Sequence, residues 1–98
     1  MTAYVIVDIE VTDPVRYEDY KTLAAPTIGV YGGRYVARGG ATEVLEGSWQ
    51  PNRLVILEFA DVEQAKKWLN SPEYAAARQL RHETAISNMV VVAGVSSQ

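Results

Sequence analysis

Three observations predict an α+β fold class: apolar alternation with a period of two near both ends, helical spacing after three capping signals, and a glycine-punctuated pair of extended segments between the first two of them. From Ala3 to Val11 the side chains alternate, with Ala3, Val5, Val7, Ile9 and Val11 on one side and Tyr4, Ile6, Asp8 and Glu10 on the other. This is a strand with one fully apolar face. Asp13-Pro14 then pairs a capping carboxylate with proline at the first helical position, where its missing N–H is not needed. In the helix that follows, Tyr17, Tyr20, Ala24 and Ile28 form the stripe turned to the sheet, and Pro26 is expected to break or kink it near Ala25.

Gly32-Gly33 ends that helix, and Arg34 to Arg38 resumes period two as the second strand. The pair Gly39-Gly40 before Ala41 to Glu46 predicts one strand bent by a bulge. Gly47 to Asn52 carries turn residues, and Arg53 to Phe59 is the third strand. Asp61, with Gln64 three residues on, resembles a capping box for a helix whose stripe is Ala65, Trp68 and Leu69. Ser71-Pro72-Glu73 opens a second helical piece running towards His82, Ser87 to Ala93 is the fourth strand, and Gly94 to Gln98 is a frayed tail.

The order β-α-β-β-α-β is the split βαβ, ferredoxin-like arrangement: a four-stranded antiparallel sheet with both helical regions on one face, in one domain spanning residues 1–98. Leu54 to Leu57 and Met89 to Ala93 are apolar on both sides, which a sheet with one wet face does not require. A second copy of the same sheet is the simplest cover, so a homodimer through the sheet face is expected. A chain of 98 residues also buries a modest share of its surface alone and gains by associating.

Nine basic against twelve acidic residues argue against general binding to nucleic acid or an anionic membrane. The absence of cysteine removes disulfides and thiolate chemistry, and with no membrane-length apolar run and no signal-like start the expected location is cytoplasmic.

Tyr4, Asp13-Pro14, Tyr17, Tyr20, Gly32-Gly33-Arg34, Arg38-Gly39-Gly40, Leu45-Glu46-Gly47, Arg53, Glu58-Phe59, Ala65, Ser71-Pro72-Glu73-Tyr74 and Arg81 together resemble domain of unknown function family 1330. Gly-Gly-Arg followed by Arg-Gly-Gly, Leu-Glu-Gly and Glu-Phe at this spacing is the specific part. The resemblance implies a dimeric α+β barrel, in a superfamily that includes cofactor-independent monooxygenases, isomerases, haem-handling enzymes and stress-response proteins. It implies no agreed reaction.

Arg34 and Arg38, four apart in a strand, are expected on the same face with Glu58 at the end of the paired strand. As a site, guanidinium grips a substrate carboxylate while Glu58 orients it or moves a proton; as structure, Arg38 and Glu58 are an ion pair at a sheet end. Tyr17 and Tyr20 either line a ligand cavity between helix and sheet or are core aromatics. Tyr4 and Trp68 are expected in core or interface, and Glu46 at a turn or interface. The single histidine, His82, beside Arg81 and Glu83, is expected to be solvated, and one histidine cannot build a two-histidine metal site. The glycine pairs lack the lysine and the helix start of a phosphate loop.

Two function classes follow. One is a small enzyme, monooxygenase- or isomerase-like, needing neither metal nor organic cofactor and acting on an aromatic or acidic metabolite held by Tyr17, Tyr20, Arg34, Arg38 and Glu58. The alternative is a non-catalytic dimeric module that binds a metabolite or a protein.

Overall fold

In the computed structural model, which describes residues 2–95, the chain runs β1 (Ala3–Val11), α1 (Pro14–Val30), β2 (Arg34–Arg38), β3 (Arg53–Phe59), α2 (Val62–Leu69), α3 (Pro72–Thr84) and β4 (Ala85–Ala93). The strands form one antiparallel sheet in the order β2-β3-β1-β4, with β1 and β3 in the middle. This is the ferredoxin-like arrangement, its second helical region divided as Ser71-Pro72 foretold. Residues 96–98 of the expected tail lie outside the described residues.

Each helix begins on its sequence cap. Asp13 accepts from the Arg16 amide, Asp61 from the Gln64 amide, and the Ser71 hydroxyl from the Tyr74 amide. These bonds satisfy amides that a helix start leaves without partners. The capping box is one-sided, because the Gln64 side chain donates instead to the Tyr31 carbonyl and ties α2 to the end of α1.

The core lies between the sheet and the helices. Val5, Val7 and Ile9 of β1 and Val55, Leu57 and Phe59 of β3 are buried against Ala24 and Ile28 of α1 and Ala65, Trp68, Tyr74 and Ala77 of α2 and α3. Phe59, Trp68 and Tyr74 pack in a row, with ring centroids 5.5 and 4.2 Å apart. The Trp68 indole N–H donates to the Thr27 hydroxyl, which itself donates to the Ala24 carbonyl, so this buried polar contact is satisfied.

Four expectations are corrected. The helix does not break at Pro26: α1 runs through to Val30. Proline there frees only the Thr22 carbonyl, Thr22 and Pro26 are both exposed, and the opposite side is held by Ala24, Thr27 and Ile28. The bulge lies not at Gly39-Gly40 but at Val36, where pairing with β3 shifts between Tyr35 and Ala37. Gly39, at φ +66°, ends the strand instead. Ala41 to Glu46 is consequently an exposed loop and not a strand. Finally, β4 begins at Ala85 rather than Ser87, because the Thr12 and Asp13 amides both donate to the Thr84 carbonyl and bring Ala85 opposite Val11.

Candidate functional site

The Val36 bulge decides which arginine can serve the helix side of the sheet. One extra residue in a strand reverses the faces of everything beyond it. Arg34 stands opposite Glu58 on the outer face, whereas Arg38 stands opposite Val55 on the helix face beside Tyr35, which is opposite Leu57. Arg34 and Arg38 are therefore not on one face, as their spacing suggested. Arg34 Nε donates to Glu58 at 2.6 Å, and Arg38 instead lies over the Tyr35 ring, 4.4 Å from its centroid. The expected Arg38–Glu58 pair is replaced by Arg34–Glu58, and neither Arg34 nor Glu58 reaches the cavity.

Between α1 and the helix face of the sheet lies a cavity of about 30 Å³, room for about two waters. Tyr17 and Tyr20 line it from α1, Tyr35 and Arg38 from β2, Arg53 from the start of β3, Arg81 from α3, and Trp68 and Met89 add apolar wall. Lys21 completes its basic lining. Four of the nine basic residues of an acidic chain thus face one cavity, and none of its twelve acidic residues does. Arg38 is exposed and Lys21 half-buried, so they form the mouth.

These cations differ in how they are held. Lys21 pairs with Glu18 at 2.5 Å. Among the described residues Arg38, Arg53 and Arg81 have no carboxylate within ion-pair distance. Arg53 sits 5.8 Å from the centroid of Tyr17, and its Nε is buried without a hydrogen-bond partner. Gly39 makes room for it, since a Cβ there would run into the Arg53 guanidinium. Arg81 is only 5% exposed, yet its partners are neutral: Nε donates to the Tyr74 hydroxyl at 3.3 Å and Nη1 to the Ser87 hydroxyl. The Tyr74 hydroxyl lies 2.8 Å from that of Tyr20. A buried guanidinium with only neutral partners is costly unless an anion joins it.

Burial pushes the Tyr17, Tyr20 and Tyr35 hydroxyls up, Tyr20 most strongly, with the neighbouring Tyr74 adding to it. All three therefore carry their protons at neutral pH. Among the described residues the cavity lining offers guanidinium and phenol donors but no carboxylate or imidazole to serve as a base.

Tyr17, Tyr20 and Arg38 thus line one cavity, whereas Arg53, Arg81, Tyr35 and Tyr74 were not singled out as site residues. Three of these four, Arg53, Tyr74 and Arg81, stood among the residues that carried the family resemblance. Trp68 is buried in the core, Tyr4 is half-buried, and Glu46 is in the exposed loop. His82 is exposed, its basicity lowered by partial desolvation of the ring and by the charges of Arg81 and Arg78. Among the described residues no group of three His, Asp or Glu side chains gathers as metal ligands.

A family model described as Domain of unknown function (DUF1330) matches residues 2–95. No curated protein matches the chain in sequence. Among solved structures, a protein of unknown function from Rhodopseudomonas palustris superposes with a TM-score of 0.77 at 16% identity, covering 98% of this chain and 84% of that one. SnoaB, a cofactor-independent oxygenase from Streptomyces nogalater, superposes with a TM-score of 0.63 at 14% identity, covering 98% and 94%. Rv0793 from Mycobacterium tuberculosis gives 0.57 at 15% identity, covering 99% and 98%. At these identities the likeness is one of fold.

Proposed function

This chain belongs to the DUF1330 family, and from that premise we propose that its helix–sheet cavity binds a small anionic metabolite, with Arg38, Arg53 and Arg81 holding the negative charge and Tyr17 and Tyr20 positioning the body of the ligand. The observation that carries the proposal is the set of three arginines without carboxylate partners around one cavity. A carboxylate or enolate oxygen supplies what they lack, in charge-assisted hydrogen bonds stronger than those between neutral groups. Because the cavity is small, the ligand enters by displacing the Arg38 and Lys21 side chains at its mouth.

The chemistry best supported is stabilisation of negative charge on a substrate oxygen. Donors fixed around a developing oxyanion lower the barrier to enolisation without any cofactor, a step open to isomerase-like and oxygenase-like reactions alike. The fold shared with a cofactor-independent oxygenase is compatible with that. Glu58 is withdrawn as the proton-moving group, since it lies on the other face with Arg34. The lack, among the described residues, of any carboxylate or imidazole in the lining also favours a second reading, a metabolite-binding module without turnover.

The outer face of the sheet belongs to the same proposal. Ile6, Ile56 and Leu54 are half-buried there, and Val90 and Val92 are exposed. A second copy laid sheet to sheet removes that apolar stripe from water. Sedimentation at about twice the 10.8 kDa chain mass is expected; a single-chain mass at high micromolar concentration overturns the homodimer. The cytoplasmic setting expected from the sequence is retained as part of the proposal, as the compartment where such metabolites are met.

A thermal-shift panel of small carboxylates and enols, each paired with its neutral amide or ester, tests the site. A ligand at 100 times its Kd adds about 2.7 kcal/mol of stability. Stabilisation by the anions and not by their neutral partners is expected, and equal response to both, or to neither, refutes the proposal. Turnover of any stabilising compound then separates enzyme from binding module.

A further inference from the structure

The hydrogen-bond chain behind the cavity has a direction, and Arg81 sets it. A guanidinium has five N–H donors and no acceptor. The 3.3 Å contact between Arg81 Nε and Tyr74 Oη is therefore a bond that Tyr74 accepts. Tyr74 has one hydroxyl proton, is fully buried, and among the described residues its hydroxyl meets only Arg81 and, at 2.8 Å, Tyr20. If Tyr20 donated across that short contact, the Tyr74 proton would be buried with no acceptor, at the full cost of desolvating a hydroxyl. If Tyr74 donates, its proton has an acceptor, and of the two phenol protons only that of Tyr20 is left over. Tyr20 lines the cavity and Tyr74 does not.

We infer that the order Arg81 to Tyr74 to Tyr20 leaves the Tyr20 hydroxyl as a committed O–H donor facing the cavity, so that the site selects ligands presenting an unprotonated oxygen, carboxylate or enolate, against matched alcohols. Tyr20 is then the specificity-determining residue, and Arg81 and Tyr74 position its proton. The buried guanidinium polarises the chain, since a hydroxyl that accepts a charge-assisted bond donates more strongly in turn. Tyr20 acts alongside Arg53, whose buried Nε has no hydrogen-bond partner, so two donors without an acceptor belong to the cavity lining. The ligand class rests on the anion-binding proposal, whereas the direction of the chain rests on Arg81 and Tyr74 alone.

Neutron diffraction from crystals of the deuterated protein at neutral pH reads the direction without any ligand. The deuteron between the two phenols is expected on Tyr74, with the Tyr20 deuteron turned to the cavity; a Tyr20 deuteron pointing at Tyr74 overturns the inference. Calorimetric titration with benzoate and with benzyl alcohol then tests selectivity. Wild type is expected to prefer benzoate, and Tyr20→Phe, checked for an unchanged unfolding midpoint, to lose about tenfold in benzoate affinity with little change for the alcohol. Tyr20→Phe binding benzoate as tightly as wild type contradicts the donor role. Failure of wild type to bind benzoate or any other carboxylate counts against the anion site, and with it the selectivity, while the neutron map still decides the direction of the chain.

Discussion

The two faces of the sheet treat charge in opposite ways. On the outer face charge is held by neighbouring groups: Arg34 pairs with Glu58, and the Asp8 carboxylate accepts from the Trp49 indole at 3.0 Å and from the Asn52 amide at 2.9 Å. On the helix face three arginines keep their charge without a carboxylate partner among the described residues. The apolar residues reverse the contrast, buried on the helix face and partly bare on the outer one. Charge held in this way beside an apolar stripe suits a surface that another protein surface covers. Unpaired charge around a cavity suits a small ion. The Val36 bulge separates the two, since it sends Arg34 to one face and Arg38 to the other.

The largest expected effect is in the helix-face core, where Phe59 is 1% exposed and touches the Trp68 ring. Phe59→Ala should cost about 3–5 kcal/mol in denaturant unfolding. Next is Gly39, whose positive φ and contact with Arg53 tie the end of β2 to the cavity. Gly39→Val should cost about 1–3 kcal/mol, whereas Gly40→Val, with open space and no positive φ, should stay within about 0.5 kcal/mol of wild type. Equal midpoints for the two variants would remove Gly39 from the account of the site.

The arginines sharpen the contrast further. Arg81→Met removes a buried charge that only an anion would compensate, so the free protein should gain about 0.5–2 kcal/mol while losing stabilisation by carboxylates. Arg34→Met breaks an exposed pair and should cost less than about 1 kcal/mol, with no effect on ligand response. A large loss of stability in Arg81→Met would make that residue a structural member of the fold.

The smallest effect is in acid. The Trp49 indole, then the Asn52 amide, hold the Asp8 carboxyl below its ordinary range. Its stabilising contribution is complete above the unfolded value of about 4 and fades as pH falls through the lower folded value. Trp49 fluorescence, read against Trp49→Phe, should report release of the loop in that acid range and not above it. Asp8→Asn should flatten the change.

Much of this was legible in the sequence. Period two gave β1 and β3 to the residue, because one face of each is packed by helices, and the three caps placed every helix start. The site was legible only in part. Tyr17 and Tyr20 follow from helical spacing, but the Val36 bulge, which turns Arg38 to the helix face, carries no glycine or proline to announce it, and Glu58 meets Arg34 because the antiparallel register sets the end of β3 against the start of β2. Arg81 belongs to a helix end rich in charged residues, where periodicity alone does not separate a buried guanidinium from a solvated one.

Titration with benzoate followed through the arginine Nε–H resonances in nitrogen-15 NMR spectra compares the two faces in one experiment. The account predicts that the Arg38, Arg53 and Arg81 signals move saturably with benzoate, that Arg34 does not move, and that benzamide moves none of them. Saturable movement of Arg34 alone, or equal movement with benzamide, would contradict the claim that the helix–sheet cavity is a site for small anions.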